Sequence, residues 1–452
     1  MRPVLLVFAV VAALITGCMG SNDDGPAPSQ DVASADLLDA IAVDGLRAHL
    51  EALQRIADEN DGTRASGTPG YDASVEYVVE QLREAGYETR LQRVTYTDSR
   101  EIAPAEVAQI SPEAATYVED EDFLPLRYSG SGEVEAMVEP IDPDSQTSGC
   151  EESDFDGFEP GAIALVRRGG CFFVVKVGNA ASAGAAAVLA FNDGSPGHET
   201  PLEATLLHPA EIPALSLAND LGEQLAHDEQ PTRLRISTSF EAGEVVAANV
   251  LADLTGATQQ RALLVGAHLD SIAGGPGIND NGSGVAAVLE LAKQARRLDF
   301  KPEAPIRFAF WAGEEPGLIG STDYVASLGG DATDEIAAVV NLDMLGSSKA
   351  EAFVYEGDGT IEEVLTEAVR DEGLEPLPVD LAGQSDHAPF AEAGVPVGGL
   401  FTGADDLGPE GEPHDACYHR ACDRLDNVDL DTLEQMADAV ARAIVDLTTT
   451  SS

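Results

Sequence analysis

The sequence predicts an α/β fold, a mixed sheet covered by helices on both faces. Three observations carry this. Residues 262–267 are a continuous apolar run of strand length, and 306–311 and 337–342 are mainly apolar runs interrupted by Arg307 and Asn341. A strand buried on both faces reads in this way, whereas a half-exposed strand alternates. Residues 284–298 between two of these runs have helical amphipathic spacing. Charged residues follow the runs directly, where sheets of this class gather their binding groups.

The elements before this core read as follows. Leu46, Leu50, Leu53 and Ile56 fall at helical spacing and predict a helix over 44–58. Thr68-Pro69 has the form of an N-cap followed by proline at the first helical position. Val75, Val78, Val79 and Leu82 then share a face, and Gly86 ends the helix. Leu91 and Val94 suggest a strand next. From 101 to 244 the character changes to short strand-like pieces with dense Gly, Pro and Asp. In that stretch 162–166 and 187–191 read as strands, and 171–187 has helical tendency. The resulting organisation is a first core segment over 36–100, an insert over 101–244 and a second core segment over 245–446, with a tail at 447–452.

Composition limits what the chain can bind. Of its 452 residues, 80 are acidic and 25 basic, a net charge of −55, and 44% are hydrophobic. The lysines are Lys176, Lys293, Lys301 and Lys349. Nucleic-acid binding is excluded as an expectation, because phosphate contacts need a basic patch. Acidity spread along the whole chain fits a halophilic surface whose self-repulsion is screened by salt.

The amino terminus reads as an address. Arg2 precedes an apolar run from Val4 to Ile15, which ends in Ile15-Thr16-Gly17-Cys18. That run has the length of a signal peptide and is too short for a comfortable membrane span. Its end resembles a bacterial lipobox, so residues 1–18 are expected to be a lipoprotein signal with Cys18 as the lipid anchor. Residues 19–35, rich in Gly, Ser, Asn, Asp and Pro, read as a flexible tether. The expected location is the cell surface or extracellular space, membrane-anchored. Five cysteines leave one odd, and lipid on Cys18 leaves Cys150, Cys171, Cys417 and Cys422. Four cysteines allow three connectivities. The local pairs Cys150–Cys171 and Cys417–Cys422 are expected here, in an oxidising compartment.

The chemistry is concentrated beyond the strands. Gly266-Ala267-His268-Leu269-Asp270-Ser271 follows the first run. Gly277-Ile278-Asn279-Asp280-Asn281-Gly282-Ser283-Gly284 opens the helix. Ala312-Gly313-Glu314-Glu315 follows the second run, and Asn341-Leu342-Asp343-Met344 ends the third. Cys417-Tyr418-His419-Arg420-Ala421-Cys422 lies near the carboxyl end. Singly, each has an ordinary explanation: a strand-end histidine, a capping aspartate, solvated charge in an acidic chain. Jointly they form a polar pocket at a sheet edge. Zinc accepts His nitrogen and carboxylate oxygen. Two metals need a bridging carboxylate, and hydrolysis needs a further carboxylate as base. Asp270, two residues after His268, is placed to orient that ring's other nitrogen.

These motifs in this order resemble the co-catalytic di-zinc aminopeptidases, the family of secreted bacterial leucyl aminopeptidases, aminopeptidase S and aminopeptidase Y. The resemblance covers 36–100 and 245–446. It implies a three-layer α/β/α zinc-peptidase sandwich with two zinc ions per chain. His268 and Asp343 would hold one zinc and Glu315 and His419 the other, with Asp280 bridging. Glu314 would be the general base acting on a hydroxide held between the metals, and Tyr418 would stabilise the oxyanion. Cys417 and Cys422 flank Tyr418-His419 as they do in aminopeptidase S, where a disulfide fixes the loop. Pro316 departs from the larger residue common there. Ser385-Asp386-His387 resembles a segment near the family's substrate pocket or is a structural turn, and His387 is not assigned to zinc.

The insert resembles a mostly-β protease-associated (PA) domain, through residues 161–172 and 183–188. In that family it is a lid or a substrate gate, and a passive insert is the alternative. The expected substrates are peptides with a free amino terminus, acted on by a monomer. A carboxypeptidase or glutaminyl cyclase on the same scaffold, or a receptor-like ectodomain without catalysis, are the competing readings.

Overall fold

The computed structural model describes residue 37 and residues 40–449, apart from 196, 197, 203, 207, 229, 259, 330, 331, 382 and 410. The signal segment, Cys18 and the tether lie outside the described residues.

Helix α1 (Val43–Glu59) and helix α2 (Pro69–Glu84) match the sequence reading to within two residues. Thr68 caps α2, its hydroxyl accepting from the Tyr71 N–H. Strand β1 (Thr89–Ser111) is much longer than Leu91 and Val94 suggest. It pairs antiparallel along its length with β8 (Arg233–Leu254), from Thr89 opposite Ala252 to Ser111 opposite Arg233. Between them lie β2 (Ala115–Thr116), β3 (Phe123–Pro125), β4 (Gly132–Pro140), β5 (Ile163–Arg167), β6 (Ala187–Phe191) and β7 (Ala214–Leu217). Helices α3 (Phe173–Ser182) and α4 (Asn219–His227) also fall in this stretch. Strands β4, β5, β6 and β7 run parallel to one another, and β3 closes the edge antiparallel.

The carboxyl-terminal half supplies β9 (Ala262–His268), α5 (Gly282–Arg297), β10 (Ile306–Trp311), α6 (Ile319–Ser327) and β11 (Ile336–Leu342). It continues through β12 (Ala352–Tyr355), α7 (Gly359–Asp371), β13 (Pro376–Val379), α8 (Ala388–Glu392), β14 (Val397–Phe401) and α9 (Leu430–Thr449). The sheet order is β13-β12-β14-β11-β9-β10-β8, with β1 beyond β8. Strands β10, β9, β11 and β14 are mutually parallel, β8 is antiparallel to β10 and β1, and β12 runs antiparallel to β14 but parallel to β13.

Burial explains the apolar runs. On β9, Leu263, Val265 and Ala267 enter the core beneath α1, α2, α5, α7 and α9, while Ala262 and Leu264 enter a second core with α6 and α8. Phe308 and Phe310 of β10 face the first core and Ala309 and Trp311 the second. The sheet is therefore the middle of three layers. In the insert, alternate residues of β5 and β6 likewise divide between two smaller cores.

The ribbon of β1 and β8 belongs to both sheets. Near Val250 it carries β10 on its flank, and near Ile236 it carries β4. It continues through positions 101 and 244, where Glu101 pairs with Phe240 and Thr97 with Glu244, with shifts of register just beyond Glu101. Both local disulfides are present, Cys150–Cys171 and Cys417–Cys422. Among the described residues no helix is long and apolar enough to cross a membrane.

Candidate active site

Because β9, β10 and β11 are parallel neighbours, with Trp311 in register with His268 and Asn341 with Gly266, their carboxyl ends share one edge. His268 is the last residue of β9, Glu314 and Glu315 follow β10 after a turn at Gly313, and Asp343 follows β11. Asp280 arrives from the loop that opens α5. His419 arrives from the turn closed by Cys417–Cys422. The motifs that are far apart in sequence thus meet at the edge the apolar runs predict.

The distances define two groups with one member in common. His268 Nε2 lies 3.2 Å from Asp280 Oδ1 and 3.4 Å from Asp343 Oδ1. His419 Nε2 lies 3.3 Å from Asp280 Oδ2 and 3.2 Å from Glu315 Oε2. Glu314 Oε2 is 4.0 Å from His268 Nε2 and belongs to neither group. Within each group the ligand atoms lie within 4.8 Å of one another. Each could therefore hold one cation, and the carboxylate of Asp280 offers one oxygen to each.

Neighbouring loops are tied to Asp280 by hydrogen bonds. The Asp280 N–H donates to Asp423 Oδ2 at 3.0 Å and the Asn279 N–H to Asp423 Oδ1 at 2.8 Å. Asn281 caps α5 by accepting from the Gly284 N–H, and its Oδ1 also accepts from the Met344 N–H beside Asp343. Its Nδ2 donates to the Leu342 carbonyl. Gly284 allows this approach, since a Cβ there would lie 2.6 Å from the Leu342 carbonyl oxygen. His419 has φ +55°, a left-handed conformation that costs a non-glycine residue about 1–2 kcal/mol. The disulfide across its turn spans 5 residues and contributes about 2 kcal/mol on loop-entropy grounds, enough to offset that cost.

The supporting residues are placed as follows. His268 Nδ1 is 3.1 Å from the backbone carbonyl of Asp270 and 3.8 Å from its carboxylate. The carbonyl is the nearer partner of this ring nitrogen. Asp270 Oδ1 instead accepts from the Glu314 N–H at 3.2 Å, so the carboxylate steadies the loop carrying both glutamates. The ring of Tyr418 stacks on that of His419, centroids 3.8 Å apart. After Pro316 the chain turns back, with the N–H groups of Gly317 and Leu318 donating to the Glu314 carbonyl. Ser385 donates to Asp343 Oδ2, whereas His387 packs against Tyr355 and joins neither group.

The chain's own charges leave the site strongly negative. Burial alone would depress the His268 imidazole, but the carboxylates of Glu314, Asp343 and Asp280 hold it well above its ordinary range. Burial works against the Asp280 carboxylate too, and its hydrogen bonds with His268 and His419 hold it well below the usual range. Burial pushes Glu314 well above that range, and Asp386, Glu315 and Asp343 add to the shift. Burial raises Asp270 to about 6 and Asp386 to about 7. Burial also holds the Tyr418 hydroxyl protonated well above its ordinary value. Glu315 Oε1 and Asp343 Oδ1 are buried with no hydrogen-bond donor among the described residues. Imidazole and carboxylate donors, unpaired buried oxygens and an excess of negative charge fit a pair of divalent cations such as zinc.

Sequence reasoning did not single out Asp423 or Arg64. Asp423 has a signal in its place directly after the disulfide-closed turn. Arg64 has none, since its partners are backbone carbonyls.

Comparison with known proteins agrees with this architecture. The profile of Peptidase family M28 matches residues 249–444, and that of the PA domain matches residues 132–225. An aminopeptidase of Pseudomonas aeruginosa is 37% identical over 423 residues, covering 87% of this chain and 78% of that protein. The probable lipoprotein aminopeptidase LpqL of Mycobacterium tuberculosis is 36% identical over 481 residues, covering 98% and 93%. Among solved structures, the aminopeptidase from Aneurinibacillus sp. strain AM-1 superposes with a TM-score of 0.78 at 24% identity, covering 93% of this chain and 97% of that one. The chain belongs to peptidase family M28 and carries an inserted PA domain.

Proposed function

We propose that the protein is a zinc aminopeptidase that removes amino-terminal residues from peptides by a two-metal mechanism. The observation that carries this is Asp280, whose two oxygens face two separate histidine-and-carboxylate groups. His268 and Asp343 would hold one zinc, Glu315 and His419 the other, and Asp280 both. Bound zinc supplies a Lewis acid for the scissile carbonyl and a water acidified towards neutral pH.

The remaining chemistry falls to the chain. Glu314 sits beside the ligands without belonging to either group, so its carboxylate is available to take a proton from water and pass it to the departing amine. Tyr418, held protonated, donates a hydrogen bond to the oxyanion that forms on the carbonyl. Asp270 steadies Glu314 through its backbone N–H. Acidic groups around the site hold the substrate's free amino group and so confine cleavage to chain ends.

The complete set of five ligands and a base favours this reading over a one-zinc cyclase or a receptor-like ectodomain. The relatives named as aminopeptidases favour it over a carboxypeptidase. The insert over 101–244 is read as a PA-like unit, either a substrate gate or a passive insert, and the enzyme as a monomer. The apolar run ending at Cys18, together with the name of the mycobacterial relative, supports a lipid anchor at the outer membrane face. Changing Cys18→Ser should release the protein from the membrane fraction, and retention there would count against the anchor.

The activity is tested with a panel of aminoacyl-p-nitroanilides in high salt, before and after chelation and zinc return. Hydrolysis that needs a free amino group, disappears with chelator and returns with zinc is the expected result. Folded protein that binds two zinc ions yet cleaves none of the panel would remove the aminopeptidase reading.

A further inference from the structure

Arg64 is fully buried, at 0% exposure, in an amino-terminal segment outside the stretch matched by the peptidase family. Its Nε donates to the Pro276 carbonyl at 2.9 Å, Nη1 to the Leu269 carbonyl at 2.5 Å and Nη2 to the Gly277 carbonyl at 2.5 Å. Its backbone N–H donates to Ser271 Oγ, which in turn donates to the Gly275 carbonyl. The preceding Thr63 hydroxyl donates to the Ile272 carbonyl at 2.9 Å. All of these acceptors lie in one loop, residues 269–277, which joins His268 to Asp280. The three carbonyls held by the guanidinium come from both ends of that loop.

We infer that Arg64 is a positioning residue for the metal site, setting the separation between His268 and the shared carboxylate of Asp280. The guanidinium fork is planar and rigid, so it fixes several acceptors relative to one another in a way that the point charge of a lysine does not. Burial works against its charge, and the nearby carboxylates of Asp270, Asp423, Asp280 and Glu315 favour it. The space around it is closed. Gly277 has φ +61°, and a Cβ there would lie 3.2 Å from Arg64 Nη2 and 2.3 Å from the Asp280 carbonyl oxygen. The loop therefore rests on the guanidinium, and a change in the length or shape of residue 64 is passed to Asp280. Asp280 is common to both groups, so both metals respond together.

The inference rests on the zinc reading above and has a readout separate from activity. Arg64→Lys is compared with the wild-type chain by zinc affinity, measured by competition with a chromophoric chelator, and by the thermal midpoint of the zinc-free protein. Expected are a zinc-free Arg64→Lys that folds, zinc affinity weaker by tenfold or more, and a lower kcat with KM little changed. Wild-type zinc affinity in folded Arg64→Lys overturns the inference. If Arg64→Lys does not fold, Thr63→Val decides, since it removes one hydrogen bond to the same loop along with the local one that Thr63 accepts from the Ala65 N–H. Weaker zinc binding at an unchanged zinc-free midpoint supports the inference, and unchanged zinc binding overturns it. A wild-type chain that binds no zinc overturns the zinc reading itself and leaves Arg64 no metal to position.

Discussion

The hydroxyl of Ser385 donates to Oδ2 of Asp343 at 2.7 Å, which turns the other carboxylate oxygen towards His268. Ser385 in turn accepts from Asn341 Nδ2, so the end of β11 and the Ser385-Asp386-His387 segment hold Asp343 between them. Partners of this kind fix a ligand's orientation, and their loss costs roughly 10–100-fold in metal affinity or activity. Ser385→Ala is expected to lose zinc affinity in that range while keeping its fold. Equilibrium dialysis against buffered zinc measures it, and an unchanged affinity would show that Asp343 holds its orientation without the serine.

Glu314 is expected to act without holding metal. Glu314→Gln should lower kcat by about 10²–10⁴ with two zinc ions still bound per chain. Turnover and zinc content are measured on the same sample. A variant that turns over normally sinks the role as base, and one that loses zinc makes Glu314 a ligand.

His49 contributes a pH dependence away from the metal site. It is buried between Tyr77, Glu290 and Lys293. Burial holds its imidazole pKa below the ordinary 6.5, with Glu290 opposing and Lys293 assisting. A folded-state pKa below the unfolded one means the unfolded chain binds the extra proton as the medium becomes acidic. The stability contribution is full above 6.5 and is lost as pH falls from there through the folded value. Urea unfolding of the wild type and of His49→Gln between pH 8 and 5 tests this. The wild type should lose more stability over that range, and parallel curves would refute the assignment.

The net charge of −55 makes salt a variable. The Debye length falls from about 10 Å at 0.1 M to about 3 Å at 1 M ionic strength. The thermal midpoint is therefore expected to rise between those concentrations of potassium chloride. A midpoint that stays level or falls would remove the halophilic reading.

The parts of the fold legible in the sequence are those whose two faces meet different cores. Strands β9, β10 and β11 read as mainly apolar runs because Leu263 and Leu264, or Phe308 and Ala309, are buried on opposite sides. The site was legible in part for a related reason, since the His268, Glu314-Glu315 and Asp343 motifs begin where such a run stops. Strand β1 was legible only at Leu91 and Val94. Beyond them its buried and half-buried positions are held in part by polar residues such as Asp98, Ser99 and Gln109, so the sequence shows no sustained apolar alternation. Arg64 was silent because backbone carbonyls leave no trace in side-chain spacing. Spacing places Asp270 beside His268, but which of its oxygens meets the ring depends on a loop conformation that spacing does not encode.

The ribbon of β1 and β8 bears on how the insert can move. Two strands hydrogen-bonded from Thr89 to Ser111 enter the insert side by side and remain part of the catalytic sheet. A pair joined in this way has no swivel, so the insert cannot swing as a bead on a string. It can lean only by flexing and twisting, as a leaf spring does, with the most give where the pairing slips between Glu101 and Glu106. Substrate entry gated by the insert would then proceed by small elastic excursions that return to one resting position.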